Sequence, residues 1–435
     1  MTRRIYNMDS MDAKIVKRTK KGFTISIEIP YADSVLGSEE LIQSQINKAG
    51  SLATGEVLMQ YDTDGSPIIV DGIKMTSKGL IPKTYQTPYG TVRIERHIYQ
   101  GPLGGRCHCP LEKEARIIIT ATPKFAKMVS SKYSDFGAGR VRKDLKDNHG
   151  RKVSKSVIQD ISDVVGSIAS LKNETWEYEL PELEKEVETV TVGLDGTAMI
   201  MAEDGNRQAM TGTIALYDKD GSRLHTIYNA ARPEYGKDIF LAGMEREIQR
   251  IKNSCPGAKY VGLADGAKDN WPFLEKHTDK QIIDFYHASG YVGNAGNAVF
   301  KDKAEGKKWI EENCHILKNR VGGPDEIHLK IINFSEHKFS NEKDREQVET
   351  AVTYFNNNKH RMEYAENIKD NIPIGSGVTE AACKVIVKQR MCNSGMKWGN
   401  HGASVVLTLR CLNYSVGRWK QFWNNIDRYG LSLAA

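Results

Sequence analysis

Asp195 ends the apolar run VTVGL, Asp265 ends YVGLA, and Glu380 lies in the first turn of a helix after Gly375-Ser376-Gly377; they are spaced 70 and 115 residues apart. Each aspartate is followed directly by glycine, which suits a strand edge where backbone must approach a ligand closely. Acidic side chains gathered at strand ends are desolvated and repel one another, so together they favour divalent cations over protons. Two such cations roughly 3.5–4 Å apart can activate an attacking oxygen and stabilise a leaving one at phosphorus. Taken singly, each residue has a plainer reading. Asp195-Gly196 and Asp265-Gly266 could be turns, and Glu380 could be a carboxylate serving the helix dipole. Their joint occurrence in one order of elements is what points to a site, with Ala381, Ala382 and Cys383 small enough to let that helix pack tightly on a sheet.

The elements that would position these acids can be read from hydrophobic period. ETVTVGLDGTAMIM, GNRQAMTGTIALYD and SRLHTIYNAA read as three strands, joined by turn chemistry at Glu203-Asp204-Gly205 and at Asp218 to Gly221. A helix follows from about Lys237 to Asn253. AKYVGLADG then reads as a buried strand, DNWPFLEKH as a helix and KQIIDFYH as a second buried strand. Three antiparallel strands, a helix and two parallel buried strands give the order of an α/β, ribonuclease-H-like mixed sheet. We expect that core at 189–287 and 373–435, interrupted by a polar helical insertion at 288–372, with PIGSGVTEAACKVIVKQRM beginning the last helix.

Upstream, FTISIEI is one alternating strand, and Ser38-Glu39-Glu40 opens a helix through about Met59. Short β-branched runs follow, ending at GPLGGRCHCP, so residues 1–115 read as an N-terminal α+β module. From 116 to 172 the segments TPKFAKMVSSKYS, GRVRKDLKDNHG and SKSVIQDISDVVGSIASL are each amphipathic at helical spacing, with Val157, Ile158 and Ile161 as core positions. Residues 173–188 form an acidic linker. No repeats or low-complexity tracts occur.

Charge follows this organisation. The net charge is only +6, but Arg116–Lys155 carries eleven bases against three acids, Lys172–Glu188 seven glutamates against two lysines, and Lys384–Arg428 eight bases against Asp427 alone. Two basic blocks around an acidic spacer suggest two surfaces that meet a polyanion. Three short helices bearing Arg140, Arg142, Lys143, Arg151, Lys152 and Lys155 fit a helix-turn-helix-like DNA binder, although three-helix bundles without that role are common. Downstream of Glu380, Lys384, Lys388, Arg390 and Lys397 are candidates for phosphate contact and Trp398 for stacking on an unpaired base, with a solvated face and a packed core as the plainer readings. Trp419 and Trp423 read as core.

No apolar run approaches the ~18 residues a membrane helix requires, and MTRRIYNMDSMDAK is followed by no hydrophobic region. Seven scattered cysteines suit a reducing cytoplasm. The location expected is therefore cytoplasmic and nucleoid-associated, with no membrane partner. Cys107-His108-Cys109 lacks a second ligand pair nearby except isolated His97 and His149, so zinc at Cys107 and Cys109 is not expected.

The blocks VGLDGT, VGLADGAKDNW, DFYHA, IGSGVTEAACKVIVKQRM and NSGMKW resemble those of bacterial insertion-sequence DDE transposases of the ISKra type, over about residues 85–425. The resemblance implies a metal-binding catalytic triad of Asp195, Asp265 and Glu380 holding two Mg²⁺ (or Mn²⁺) ions. It implies cleavage at element ends, with water attacking first and the freed DNA 3′-hydroxyl joining the target second. Element-end and target DNA, and a homodimer or larger multimer, are the implied partners. Asp284 to His287 is similar to the Asp/Cys-x-x-His motif of several DDE groups. His287 could bind a phosphate or position water, or lock the insertion to the sheet. The Cys107-His108-Cys109 turn departs from the family. A ribonuclease-H-like nuclease without strand transfer, and a catalytically inactive transposase-derived DNA-binding regulator, remain alternatives.

Overall fold

The computed structural model describes residues 13–234, 237–337, 339 and 341–431. The chain is mixed α/β and divides into two units. One comprises the chain up to Tyr178 with Thr408–Asn413 and Arg418 onward, the other Glu179–Leu407 with Tyr414–Gly417.

In the first unit, β1 (Ala13–Thr19) and β2 (Gly22–Ile27) form a hairpin, and α1 (Val35–Met59) follows. The first of these strands was not expected. Helix α1 opens before Ser38 because extended Ser34 closes its first turn, its hydroxyl accepting from the Gly37 N–H at 3.0 Å. Strands β3 (Ile68–Val70), β4 (Ile73–Gln86), β5 (Thr91–Gly101) and β6 (Gly104–His108) make an antiparallel sheet, and a short helix α2 (Pro110–Glu114) follows it. Helices α3 (Pro123–Asp135), α4 (Ala138–His149) and α5 (Lys155–Lys172) lie where three helices were expected. Phe125, Val129, Val141, Leu145, Ile158, Ile161 and Val165 are buried, one apolar stripe from each helix. Gly150, at φ +62°, ends α4 in the left-handed conformation that glycine adopts without strain.

The second unit is built on β7 (Thr189–Met201), β8 (Gly205–Tyr217), β9 (Arg223–Ala231), α6 (Asp238–Ser254), β10 (Lys259–Ala264), α7 (Trp271–His277) and β11 (Lys280–Ile283). The sheet order is β11-β10-β7-β8-β9. The first three strands in the chain pair antiparallel, while β10 runs parallel to β7 and β11 parallel to β10. On one face Gly212 leaves room for Met244 and Phe240 of α6, since a Cβ there would lie 2.4 Å from the Met244 sulfur. Helices α8 (Phe285–Val299), α9 (Lys303–Asn319), α10 (Gly323–Phe334), α11 (Glu342–Asn358) and α12 (Tyr364–Lys369) follow β11. They share a core with the sheet, and Tyr364 ties them to it by donating its hydroxyl to the Ile283 carbonyl at 3.0 Å.

A helix then runs as α13 (Gly377–Ala382), a π-helical stretch (Cys383–Lys388) and α14 (Gln389–Met391). It is not the last helix: α15 (Asn400–Tyr414) and α16 (Arg418–Tyr429) follow. The segment expected as one block at 373–435 therefore divides. Residues 373–407 stay with the large sheet, while Thr408–Asn413 and α16 cluster with the three-helix unit. The reason is packing. Phe422, Trp423 and Ile426 are buried on α16, and Phe422 meets Trp176 with ring centroids 5.7 Å apart. Arg410, only 2% exposed, donates to the Ser134 carbonyl at 2.7 Å and to Asp135 at 2.8 Å. Arg410 and Arg418 are thus interior groups, not part of a solvent-facing basic segment. Replacing Arg410 by alanine would strand both acceptors. We expect a loss of about 2–3 kcal/mol in urea unfolding, against well under 1 kcal/mol for Arg428→Ala on the exposed face of α16.

Candidate active site

The parallel register sets the geometry. Leu263 pairs with Gly193 and Ala264 with Ile283. Two residues past the first pair, Asp195 and Asp265 stand at one level; one residue past the second, Asp265 and Asp284 do the same. Level with the carboxyl ends of β10 and β11, three neighbouring parallel strands thus present three aspartates in a row, at the strand spacing of about 4.8 Å. Asp195 does not end its strand, as the apolar run suggested. It pairs with Thr211 within β7, which outruns β10 and continues to Met201. Its exposure comes from the ending of β10, so only the neighbour's length frees it.

Side-chain period places Gly193 and Asp195 on one face of β7. At Gly193 an added Cβ would lie 2.0 Å from the Thr379 hydroxyl oxygen, so glycine is what admits α13 to the sheet. Thr379 and Thr213 then share a buried hydrogen bond of 2.7 Å. Glu380 is the next residue, and it reaches a cleft of about 730 Å³ lined also by Asp195, Asp265, His287, Ser376, Cys383, Lys384, Lys388 and Gln389. Of the small residues expected to let this helix pack, Ala382 and Cys383 are buried but Ala381 is exposed.

The acids differ in how their charge is met. Asp284 is 0% exposed and caps α8: Oδ1 accepts from the His287 N–H at 2.9 Å, and Oδ2 accepts from the Ser376 N–H. The expected strand KQIIDFYH accordingly stops at Ile283, and Phe285 to His287 form a helical turn. Burial works against ionisation of Asp284, but the hydrogen bonds from Ser376 and His287 outweigh it and hold the carboxyl below its ordinary range. Asp195 takes the Gly196 N–H at 2.7 Å and the Cys383 thiol at 3.3 Å; burial and then the Asp195 charge push that thiol up to about 12. Asp265 takes the Ala267 N–H at 3.1 Å. Among the described residues no lysine or arginine pairs with Asp195, Asp265 or Glu380. The local field is felt at Tyr354 of α11, beside Gly266. Burial first, then Tyr291, Asp284 and Asp265, raise its phenol well above the usual tyrosine range.

Glu380 accepts from the Ser376 hydroxyl at 3.3 Å and stands 3.9 Å from His287 Nδ1, which is 3.4 Å from Asp284 Oδ1. Among the described residues, Asp284, His287 and Glu380 are the group of three whose donor atoms all lie within 4.8 Å of one another. Asp195, Asp265 and Glu380 line the same cleft without converging that tightly. The His287 backbone completes the Asp284 cap at the junction of sheet and insertion, and its half-exposed ring faces the cleft.

The basic candidates separate by burial. Lys384 and Lys388 line the cleft, and Lys397 is exposed. Arg390 is not a phosphate ligand: it is 3% exposed, with its guanidinium 5.1 Å from the centre of the Trp398 ring. Trp398 in turn is half-buried and donates its indole N–H to the Met391 carbonyl at 2.8 Å, so that edge of the ring is held by the protein. In the first unit Arg140, Arg142, Lys143, Lys152 and Lys155 are exposed. Arg151 is interior, 5% exposed, bonded to the Thr87 carbonyl at 3.0 Å and to Gln86 at 2.8 Å, and burial lowers it to about 10. Sequence reasoning missed Gly193, Thr379, Thr213 and the clamp through Ser376; only the Gly-Ser-Gly stretch signalled the last. The sequence matches no family profile and no curated protein.

Two outcomes follow from this geometry. Gly193→Ala should shift α13, abolishing any chemistry that needs Glu380 while circular dichroism still reports a folded chain; Gly257→Ala, with open space at its Cβ, is the control. Asp284, ionised more readily folded than unfolded, adds stability at pH values above its unfolded pKa of about 4 that is lost as pH falls through the lower folded value. Asp284→Asn should flatten the acid limb of a stability–pH curve; an unchanged limb would contradict the clamp.

Proposed function

We propose that this chain is a DNA transposase whose second unit carries a ribonuclease-H-like catalytic core. The observation carrying the reading is that Asp195 within β7, Asp265 just past the end of β10 and Glu380 on α13 line one cleft beside the carboxyl end of β10, unpaired with any described lysine or arginine. The strand order β9-β8-β7-β10-β11, with three antiparallel strands followed by two parallel ones, supports that fold. Clefts at strand carboxyl ends are where open α/β sheets bind ligands.

The donor set fits hard divalent cations: carboxylate oxygens without a protein cation beside them are the ligands Mg²⁺ or Mn²⁺ takes. Asp195, Asp265 and Glu380 would hold two such ions, which supply Lewis-acid polarisation at phosphorus and charge stabilisation on both oxygens of an in-line displacement. The chain's own groups do the rest. Lys384 and Lys388 meet the flanking phosphates as point charges. Ser376 steadies Glu380 through its hydroxyl, and Asp284 steadies Ser376. Exposed bases on α4 and at the start of α5 bind the element ends as duplex DNA. The substrate is a DNA phosphodiester, cut first by water and then joined to target DNA by the freed 3′-hydroxyl, within a multimer of this chain.

The test is a nicking and strand-transfer assay on duplexes bearing the inverted repeats that bracket the reading frame. With Mg²⁺ the protein should nick and join. Asp195→Asn, Asp265→Asn and Glu380→Gln should each cost on the order of 10³-fold or more in nicking, the several kcal/mol that metal-assisted displacement supplies, with duplex binding retained. Nicking without joined product would favour a nuclease. DNA-dependent activity that survives all three substitutions would favour a regulator.

A further inference from the structure

A carboxylate held by one hydrogen bond can still swing about that contact, whereas a donor on each oxygen fixes its plane. Asp195 has both. Its Oδ1 accepts the N–H of Gly196, the next residue, at 2.7 Å. Its Oδ2 accepts the thiol of Cys383 at 3.3 Å, from a helix 188 residues further along the chain. Among the described residues these are the donors that reach Asp195. A thiol is a weak donor, but an ionised acceptor strengthens the bond it makes.

The position of the sulfur is set by the seat of its helix. Gly193 of β7 admits Thr379, Thr379 and Thr213 share their buried hydrogen bond, and the Ser376 N–H is held by Asp284. Three residues separate Glu380 from Cys383, a spacing that puts them on one side of a helix. Both line the cleft together with Asp195, although Cys383 is only 4% exposed. One helix thereby supplies one carboxylate of the cleft and holds another. The next cysteine shows the contrast. Cys392, just past α14, donates to the Ala198 carbonyl of the same strand at 3.4 Å and is not among the residues lining the cleft.

We propose that Cys383 is a positioning residue for the metal site: its thiol hydrogen holds the Asp195 carboxylate in the orientation that presents it to a divalent cation. Hydrogen bonds to a ligating carboxylate orient it, and losing such a partner weakens metal binding by roughly 10–100-fold. The inference rests on the proposed function for its cation, but it is tested by binding as well as by catalysis.

The probe is Mn²⁺ alone, added to the full chain, with the electron paramagnetic resonance signal of the free ion reporting how much is bound. Cys383→Ala should weaken binding about tenfold or more. Cys383→Ser keeps a hydrogen-bond donor and should recover most of the loss, while Cys392→Ala should bind like the unmodified chain. In the nicking assay Cys383→Ala should raise the half-saturating Mg²⁺ concentration by a similar factor and leave the rate at saturating Mg²⁺ nearly unchanged. Mn²⁺ binding by Cys383→Ala equal to that of the unmodified chain overturns the proposal. So does a Cys383→Ser variant as weak as Cys383→Ala, which would make the sulfur a packing group. Asp195→Asn is the reference. If it binds Mn²⁺ as the unmodified chain does, the metal site of the proposed function fails and this inference with it. If it loses binding and Cys383→Ala does not, this inference alone fails.

Discussion

Parallel pairing of β7, β10 and β11 in one register is the constraint on which the candidate site depends. Hydrogen bonding between neighbouring parallel strands fixes their relative height, and a slip of one residue would turn every side chain to the opposite face. With Leu263 opposite Gly193 and Ala264 opposite Ile283, Asp195, Asp265 and Asp284 come level. Their charges are then handled in two ways. Asp284 is buried and satisfied by the N–H groups of His287 and Ser376. Asp195 and Asp265 each take one backbone N–H and face a cleft without a partner cation. That difference separates a clamp from two ligand candidates although all three residues are aspartate.

Helix α13 and its continuation complete the cleft by close approach. Gly193 and the Thr213–Thr379 hydrogen bond seat the helix, and Ser376 joins its start to Asp284. Glu380, Lys384 and Lys388 then recur every four residues, and all three line the cleft. The backbone from Cys383 to Lys388 is π-helical, a form that concentrates at functional sites because it re-aims side chains locally. One negative group is thereby followed by two positive ones along one helix beside the strand ends, an arrangement suited to holding cations and phosphates together.

Burial sorts the bases that composition alone could only pool. Arg151, Arg390, Arg410 and Arg418 are interior, each spending its charge on carbonyls, carboxylates or aromatic faces. Arg carries a planar, weakly hydrated group that tolerates such sites. The lysines of the two basic blocks stay mostly in solvent, joined there by Arg140, Arg142 and Arg428.

Much of the architecture was legible because it rests on local period. Alternation marked β7 to β9, continuous apolar runs marked β10 and β11, and the 3.6-residue stripe marked α3 to α6. Asp195, Asp265 and Glu380 were legible too, since an acid closing an apolar run, or opening a helix after Gly-Ser-Gly, is a local feature. What only the tertiary structure decided are quantities without a local signature. The ending of β10 beside β7, the level of Asp284, the membership of α16 in the first unit and the fit of Thr379 over Gly193 each depend on two segments far apart in the chain. Periodicity reports which face of an element is apolar; it carries nothing about which distant element will cover that face, because that choice is made by packing and register between surfaces that meet only once the chain has folded.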